Sequence, residues 1–412
     1  MSNDRTILRE LARKYSEIAA LPAQEEKRKL WSSLHSFKSK KPAVYFSFGM
    51  WNVWCRDYFG DSRMKCEDPF YREWERNLRM AIFHHECGDD VIHEPWLQMR
   101  ADVAGAWDSI WGVKTGHVDS KEAGGAWKYD PPIKTWDDVK KLVKPRHVID
   151  EARTKEKLER LQVAIGDIIT IDLSRSPACM GFKGDISTDL AGLLDLEQMM
   201  LYMYESPDEL HKLLAFMRDS ILENQAAAEK AGDFSLTNHT SQEPTYCDGL
   251  KRPVPNSLGA KRKDLWYFTA AQEFTLVSPA MHEEFLLQYQ LPILKNYALV
   301  SYGCCENLTE KINMLRKIPN LRIIAVSPTA NVARCAEQIG DDYVMSWRPN
   351  PTDMVCGAWD EAKIRRILKD GVEKLKGHHF SVHLKDVETV EGDPGRLKKW
   401  TRIVRQVFEE TL

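Results

Sequence analysis

The sequence lacks any apolar run near the length of about twenty residues that a membrane-spanning helix needs. Its first segment, MSNDRTILRELARKYSEIAA, has the pattern of a charged amphipathic helix and not that of a signal peptide. We therefore expect a cytoplasmic protein without a membrane partner. The net charge of -3 also gives no excess of basic residues, so we expect no nucleic-acid partner.

Several motifs are missing as well. Neither GxGxxG nor GxxxxGK[ST] occurs, so the nucleotide-binding versions of an open doubly wound sheet have no support. No tandem repeat or low-complexity segment is present. The nine cysteines come without secretory features, which predicts free thiols in a reducing compartment.

What is present is an ordinary globular composition that is rich in tryptophan. Hydrophobic residues make up 43% of the chain and charged residues 29%, both typical of a folded domain. The 13 tryptophans exceed average usage. Most of them are expected to pack in the core or on the surface, and a few are available to line a pocket for an aromatic ligand.

Short apolar segments alternate with longer helical patterns along the chain. The helical patterns include residues 195–204, 207–231, 279–294, 331–339 and 360–375. The predicted strands are residues 43–48, 90–93, 167–173, 234–238, 298–302, 321–326, 343–346 and 380–384. This alternation favours an α/β fold of the closed (β/α)8 type, a TIM barrel, over an open sheet.

The predicted domain organisation is simple. Residues 1–40 form an N-terminal helical extension packed outside the barrel, and residues 41–412 form the (β/α)8 catalytic domain. Residues 250–264, LKRPVPNSLGAKRKD, are rich in proline, glycine and lysine and suggest a mobile lid. In a barrel of this type the active site lies at the carboxyl ends of the strands, so the residues that follow each strand are the first candidates.

Two adjacent cysteines, Cys304 and Cys305, stand in VSYGCCENLTEKI between the predicted fifth strand and a helix. Asn307 and Glu310 have the spacing of a capping box that opens this helix. The pKa of a cysteine thiol is lowered at a helix N-terminus, which favours the thiolate. The alternative, two small buried hydrophobic residues, stays open. The cluster HHECGDDVIHE precedes the second strand, and there we expect a structural role.

A family resemblance follows from several stretches taken together. The order KPAVYFSFGMW, DIITIDLSRSPACMGF, AGDFSLTNH, ALVSYGCCENLTEKI and DDYVMSWRPNPTDM resembles the uroporphyrinogen decarboxylase superfamily, and most of all its cobalamin-dependent methyltransferases. The resemblance covers nearly the whole chain after residue 40 and implies a (β/α)8 barrel. One branch cleaves phenyl methyl ethers and passes the methyl group to cobalt(I) of a corrinoid. The chain has no DxHxxG cobalamin-binding sequence, so we expect the corrinoid on a separate corrinoid protein.

Two departures from the superfamily's patterns separate its branches. Porphyrinogen decarboxylases carry an arginine-rich RQAGRY-type stretch after the first strand, where this chain has FGMWNVWCRDYF. A decarboxylase is therefore the weaker interpretation. Zinc-dependent methyltransferases carry HxCGN after the fifth strand and a cysteine after the eighth. Here Cys305 takes the first cysteine's place, Gly303 replaces the histidine, and His383 or Asp386 lies near the last cysteine's place. The zinc ligand set stays open.

The resemblance and the strand ends together give a set of expected roles. Glu243, or His239 beside it, is the expected proton donor to the ether oxygen, and a carboxyl group in that role needs a raised pKa. A zinc ion, if bound, has Cys305 as its first ligand, with His239, Glu306 or His383 as further ligands. The expected substrate-binding residues are aromatic or apolar side chains and two arginines that suit a substrate carboxylate: Met50, Trp51, Trp54, Trp96, Trp347, Arg175 and Arg348.

Three functions stay open at this point. The first is a methyltransferase that takes methyl from a methoxylated aromatic, such as a guaiacol-type phenol, to a corrinoid protein. The second works in the other direction, from a methyl-corrinoid to a thiol or tetrahydrofolate, and would use Cys305 or zinc to activate the acceptor. The third is a lyase or decarboxylase that acts on a different acid. The oligomeric state is open too, with a homodimer as one option.

Overall fold

The structure is a computed structural model that describes residues 3–48, 54–103, 109–119, 121 and 128–412. Its strands are β1 Ala43–Phe48, β2 Trp96–Arg100, β3 Gly116–Val118, β4 Lys128–Asp130, β5 Thr170–Ser174, β6 Trp266–Thr269, β7 Leu299–Tyr302, β8 Leu321–Val326, β9 Val344–Trp347 and β10 Phe380–Val387. Its longer helices are α1 Asn3–Ala19, α2 Pro22–His35, α4 Pro69–Cys87, α5 Glu151–Ile165, α6 Ile186–Leu193, α7 Leu196–Glu205, α8 Pro207–Ala231, α12 Val332–Ile339, α14 Glu361–Leu375 and α15 Gly395–Thr411.

Shorter helical pieces complete the described chain. They are α3 Arg56–Phe59, α9 Pro279–His282, α10 Gln288–Leu294, α11 Ile312–Leu315 and α13 Pro351–Met354. A π-helical turn, Glu283–Leu287, joins α9 to α10. Single 3-10 turns occupy Asp61–Arg63, Trp136–Lys141, Gly181–Lys183, Arg262–Asp264 and Gln272–Phe274.

The strands form a mixed α/β architecture around one large parallel sheet. Six parallel strands pair in the order β1-β10-β9-β8-β7-β6, and this sheet curls into half a barrel. β2 and β5 form a second, two-stranded parallel sheet, and β3 pairs with β4 in antiparallel fashion. Connections between parallel neighbours run through helices, as expected of strand–helix alternation.

Side chains alternate across the large sheet in a way that separates an apolar face from a polar one. Trp347 of β9 packs on α14, where a Cβ added to Gly371 would lie 2.1 Å from its ring. Phe380 of β10 contacts Phe408 of α15. The neighbouring residues Ser346 and Ser381 are register partners and face the other side. The helices therefore cover an apolar outer face, and the inner face carries hydroxyls.

Two irregular segments lie between the two parallel sheets. Residues 234–240 contact both, because Asn238 Nδ2 donates to Ser174 Oγ of β5 (2.8 Å) while the Thr240 amide donates to the carbonyl of Trp266 in β6 (3.2 Å). At the other side, next to β1, side-chain carboxylates accept the backbone hydrogen bonds that a neighbouring strand would accept. The amide of Val44 in β1 donates to Asp90 (2.8 Å) and that of Phe46 to Asp89 (2.9 Å).

Both N-terminal helices pack closely on the rest of the chain. α1 packs on α4 and α5, and its buried Leu8 and Ala12 join the core that lies beneath β2 and β5. α2 places Trp31 and Leu34 against the first residues of β1, β6 and β9, which are Ala43, Trp266 and Val344. The segment predicted as an outer extension therefore covers the amino-terminal end of the large sheet.

Helix boundaries agree closely with the sequence pattern where a cap is present. α8 has the predicted bounds and ends at Gly232, whose φ of 78° suits glycine. α14 follows Asp360, whose carboxylate accepts from the amide of Lys363. Its buried Ile364, Leu368 and Leu375 line one face at helical spacing. Local chemistry sets these boundaries.

Two strand predictions are wrong, and one strand was not predicted. Residues 90–93 form no strand, because the Asp90 side chain and backbone are bonded to the edge of β1, and β2 starts only at Trp96. Residues 234–238 contain just an isolated bridge, from Ser235 to Leu258. The strand β6 was not predicted, since its four residues WYFT are all buried and show no alternation.

The predicted capping box is also absent. α11 begins at Ile312, with Lys311 at its N-cap position. Asn307 instead accepts from the amide of Thr309 (3.0 Å), and Glu310 pairs with Arg334 on the surface. Cys305 therefore does not lie at a helix N-terminus, and the helix dipole does not act on its thiol.

The loop predicted as a lid lies along β5. The side chain of Asn256 accepts from the Leu173 amide (3.0 Å) and donates to the Ile171 carbonyl (2.9 Å), as a neighbouring strand would. The Asn256 amide also donates to Asp172 (2.7 Å). In the described part of the chain, no helix combines the length and apolarity required to cross a membrane.

Candidate active site

Glu243 lies on the polar face of the large sheet. Its Oε1 accepts hydrogen bonds from the hydroxyls of Ser346 in β9 and Ser381 in β10, both at 2.6 Å. Its Oε2 is buried and has no hydrogen-bond partner. Burial raises the pKa of Glu243 above its ordinary value, and the two serines and the charge of Arg348 oppose that rise. The residue therefore has one anchored oxygen and one buried oxygen that lacks a hydrogen-bond partner.

His383 stands beside Glu243 on the same face. Its Nε2 lies 3.1 Å from the hydroxyl of Ser47, and its Nδ1 lies 3.7 Å from Oε1 of Glu243. Burial lowers the pKa of His383 well below its usual range, and the positive charges of Arg348 and Lys385 lower it further. The imidazole is therefore neutral at physiological pH.

A cavity of about 410 Å³ opens next to Glu243. This volume falls in the range of small-molecule sites, roughly 300–1,000 Å³. Its wall includes the aromatic side chains of Tyr45, Trp96 and Tyr246, together with His239, Gln242 and Glu243. We refer to this space as the Glu243 cavity.

Two carboxyl groups belong to the described wall of the Glu243 cavity, and they differ in their partners. Glu94 forms an ion pair with Arg28 (2.7 Å) and accepts from the Tyr246 hydroxyl (2.7 Å). Among the described residues, Glu243 has no lysine or arginine within ion-pair distance, and His383, 3.7 Å away, is neutral. Glu243 is therefore the carboxyl group of this wall that can take part in proton transfer.

His239 also lies in this wall, but its chemistry differs from the prediction. Its Nδ1 accepts from the amide of Trp266 (3.1 Å), so the proton of the neutral ring sits on Nε2. Burial lowers the pKa of His239 to about 4. Because a neutral imidazole is a weak acid, Glu243 is the better placed proton donor of the two.

A second group of residues lies at the carboxyl ends of β7, β9 and β10, where Lys385 and Asp386 are among the last residues of β10. The sulfurs of Cys304 and Cys305 are 3.5 Å apart. Lys385 Nζ lies 3.5 Å from Cys305 Sγ, and Asp386 lies 3.2 Å from the same sulfur. The hydrogen bond from the Cys305 thiol lowers the pKa of Cys304, and the charges of Lys385 and Arg348 act in the same direction. We refer to these five residues, Cys304, Cys305, Arg348, Lys385 and Asp386, as the thiol cluster.

Arg348 is a buried cation of this cluster. Its guanidinium donates to the carbonyl oxygens of Cys304 and Gly303, and its Nε is buried without a hydrogen-bond partner. No carboxylate of the described residues lies within ion-pair distance of it. Gln242 joins the thiol cluster to the Glu243 cavity, since it lines the cavity and its Nε2 donates to Cys304 Sγ (3.3 Å).

The residues predicted to bind zinc do not fit that ion. Both carboxylate oxygens of Glu306 are taken by backbone amides, those of Ala271 and Cys304, each at 2.8 Å. His239 uses Nδ1 for the Trp266 amide, and His383 contacts Glu243 and Ser47. Within the residues that the structure describes, no group of three or more histidine, cysteine, aspartate or glutamate side chains could hold a metal ion.

Several predicted substrate-binding residues have other roles. Trp347 packs in the core against α14, since alternation along β9 turns it to the outer face. Arg175 makes two hydrogen bonds to Glu151 (2.5 and 2.9 Å) and one to Asp233 (2.6 Å), so its charge is already balanced. Trp54 donates to the Val387 carbonyl (2.8 Å) within the core.

The other predicted residues divide between the cavity and the undescribed chain. Trp96 lines the cavity, but as the first residue of β2 and not beyond its carboxyl end. Met50 and Trp51 lie outside the described residues. Tyr45, Ser346 and Ser381 were not predicted. The signal was the hydroxyl at alternate positions in otherwise apolar strands, which marks a polar inner face.

Neither models of known protein families nor curated protein sequences gave a match to this chain. The chemistry of the site therefore follows from its residues and their geometry. That geometry provides a buried acid beside an aromatic-lined cavity, and a nearby pair of thiols flanked by two cations.

Proposed function

We propose that this protein is a methyltransferase that cleaves aryl methyl ethers and passes the methyl group to cobalt(I) of a separate corrinoid protein. The observation that carries the proposal is Glu243, a buried carboxyl group in the wall of a cavity of about 410 Å³, with one oxygen that has no hydrogen-bond partner. The cavity has aromatic walls, which suit a flat methoxylated ring. The resemblance to cobalamin-dependent methyltransferases agrees with this chemistry.

The chemistry needs an acid because phenolate is a poor leaving group. Cobalt(I) of the partner is the second substrate and supplies the electron pair that forms the new bond to the methyl carbon. The bond between that carbon and the ether oxygen breaks, and Glu243 gives its proton to the oxygen, so a phenol leaves. The raised pKa of Glu243 keeps the carboxyl group protonated to higher pH than usual.

The surrounding side chains support that role without a metal. Ser346 and Ser381 hold Oε1 in place, which leaves Oε2 for the ether oxygen. Tyr45 and Trp96 give the wall of the cavity aromatic surface for the ring of the substrate. Since the zinc ligands expected from the resemblance are engaged elsewhere, we derive no step through a metal on this chain.

We further infer a closed (β/α)8 barrel. Eight parallel strands can be arranged in a ring as β1-β10-β9-β8-β7-β6 followed by β5-β2. Residues 234–240 fill one gap in this ring, and Asp89 and Asp90 fill the other. We also place the protein in a reducing cytoplasm, in line with its nine free thiols.

The direct test uses the purified chain with 2-methoxyphenol and cob(I)alamin, both free and carried on a corrinoid protein. We expect catechol and methyl-cobalt(III) to form in equal amounts. Chromatography measures the catechol, and the absorbance of the corrinoid measures the methyl-cobalt(III). An arm without cobalt(I) should give no catechol. Decarboxylation of uroporphyrinogen together with an absence of demethylation in every arm would contradict the proposal.

A further inference from the structure

The adjacent residues Cys304 and Cys305 direct both sulfurs to the same side of the chain. Their Sγ atoms lie 3.5 Å apart, close to van der Waals contact. Neighbours in an extended strand would point to opposite faces. Here β7 has ended at Tyr302, and Gly303 has a φ of 103°, which turns the chain before the two cysteines. The pairing is therefore imposed by the backbone.

Other groups hold the chain in this conformation. Glu306 Oε2 accepts from the Cys304 amide (2.8 Å), and Arg348 donates to the carbonyl oxygens of Gly303 and Cys304. Polar side chains also reach each sulfur. Gln242 Nε2 lies 3.3 Å from Cys304 Sγ, and Lys385 Nζ lies 3.5 Å from Cys305 Sγ. These donors stabilise negative charge on the sulfur pair. Because the Cys305 thiol also donates to the carboxylate of Asp386 (3.2 Å), the thiolate is favoured at Cys304.

Access favours this pair over the other thiols. Cys305 is exposed, whereas seven of the nine cysteines are buried and Cys356 is half-buried. A small reagent can therefore reach the pair through Cys305. Among the described sulfur–sulfur contacts, this is the one within hydrogen-bond distance.

We propose that Cys304 and Cys305 form a modification site, at which hydrogen peroxide converts the dithiol reversibly to a vicinal disulfide. One sulfur, as thiolate, attacks the O–O bond of the peroxide, becomes a sulfenic acid and releases hydroxide. The second sulfur then attacks the first, the S–S bond forms and the sulfenic oxygen leaves as hydroxide. The two thiol protons convert both hydroxides to water, so two thiols are oxidised and one peroxide is reduced.

The geometry makes this disulfide easy to reduce again. Adjacent Cα atoms are about 3.8 Å apart across a trans peptide, whereas disulfides usually join Cα atoms about 4.4–6.8 Å apart. The ring that contains the two sulfurs is therefore strained, and strained disulfides have more oxidising potentials. Closure also acts on the peptide between Cys304 and Cys305, whose carbonyl oxygen accepts from Arg348.

The test treats the full-length reduced protein with one equivalent of hydrogen peroxide. We expect the intact mass to fall by two hydrogen atoms, the thiol count to fall from nine to seven, and both changes to reverse with dithiothreitol. Peptide mapping should find the link between residues 304 and 305. Cys304→Ser and Cys305→Ser should each abolish the mass loss, and Cys304→Ser, which keeps the exposed thiol, should give a sulfenic acid that dimedone traps. The control Cys356→Ser should behave as the unchanged protein.

A second probe tests the thiol geometry without oxidation. Phenylarsine oxide needs two neighbouring thiols, so one equivalent should bind to the reduced protein and to Cys356→Ser but not to Cys305→Ser. Failure of the arsenical to bind would overturn the paired geometry. The proposed modification site would be wrong if peroxide gave an intermolecular disulfide or a sulfonic acid. It would also be wrong if peroxide modified Cys356 first. Neither measurement depends on methyl transfer, so the proposed function is tested separately.

Discussion

The Nδ1 atom of His383 lies 3.7 Å from Oε1 of Glu243, and both side chains are fully withdrawn from solvent. Burial acts on the two groups in opposite directions, since it raises the pKa of Glu243 and lowers the pKa of His383. Both residues are therefore favoured in their neutral forms, and the contact is not an ion pair. Burial thus keeps the proton on Glu243 to higher pH than is usual for a carboxyl group.

Glu243→Gln tests this proton. The amide oxygen can still accept from Ser346 and Ser381, so the fold and ligand binding should be preserved, but the side chain cannot act as an acid. We expect demethylation to slow by about 10²–10⁴-fold, measured as catechol release. Ligand binding, measured by calorimetry, should change little. His239→Gln is the matched control from the same wall and should have a much smaller effect. A Glu243→Gln rate near that of the unchanged protein would assign the acid role elsewhere.

Asp189 gives a prediction about pH and stability. Burial raises the pKa of Asp189 from its ordinary value near 3.8 to about 7, and the charge of Lys183 partly opposes this rise. Between these values the native state binds more protons than the unfolded state, so this group makes stability fall as the pH rises. Asp189→Asn removes that dependence.

The difference in the free energy of unfolding between Asp189→Asn and the unchanged protein should therefore shift in favour of the variant by about 2 kcal/mol from about pH 5 to about pH 8. Urea denaturation at the two pH values measures it. The exposed Asp208, changed to Asn, is the control and should show no such trend. An equal effect of Asp189→Asn at both pH values would mean that Asp189 is ionised in the native protein throughout this range.

Glu306 is predicted to matter for stability through the amides of Ala271 and Cys304. Glu306→Ala leaves both buried N–H groups without an acceptor, so the free energy of unfolding should fall by about 2–4 kcal/mol. Urea denaturation checks this value. Glu310→Ala, four positions further along the same loop, removes an exposed pair with Arg334 and should cost about 0.5 kcal/mol or less. Similar losses for the two variants would show that the hydrogen bonds from the Ala271 and Cys304 amides to Glu306 add little to stability.

Gly371 tests the position of Trp347. Glycine to alanine inside a helix usually stabilises by about 1 kcal/mol. Here the added Cβ would lie 2.1 Å from the indole ring, so we expect Gly371→Ala to destabilise by about 1–3 kcal/mol. Thermal or urea unfolding measures the sign.

Two further variants test whether contact with Trp347 causes the loss of stability in Gly371→Ala. Gly192→Ala in α6 meets atoms no closer than 3.4 Å and should be nearly neutral. In the background of Trp347→Leu, which provides space, Gly371→Ala should lose most of its destabilising effect. A stabilising Gly371→Ala in the unchanged background would show that Trp347 does not fill this position.

Several features were determined by the sequence alone, because they depend on neighbouring residues. The bounds of α8 follow from Pro207 at its start and Gly232 after its end. The starts of α12 and α14 follow from their caps, Asn331 and Asp360. Strand–helix alternation predicted the parallel α/β sheet. Glu243 was identified as a candidate from its residue type and its place after an apolar segment.

Other features were decided by the tertiary structure, because they depend on residues far apart in the chain. The free oxygen of Glu243 results from serines more than one hundred positions away, at 346 and 381. Asp90 replaced the predicted second strand because its carboxylate pairs with β1. Glu306 could not be distinguished from a metal ligand until Ala271 was found at its carboxylate. Arg175 met Glu151 and Asp233 only on folding. Sequence patterns encode local hydrogen bonds and burial, whereas the partner that neutralises or frees a charged group is set by how distant strands pack.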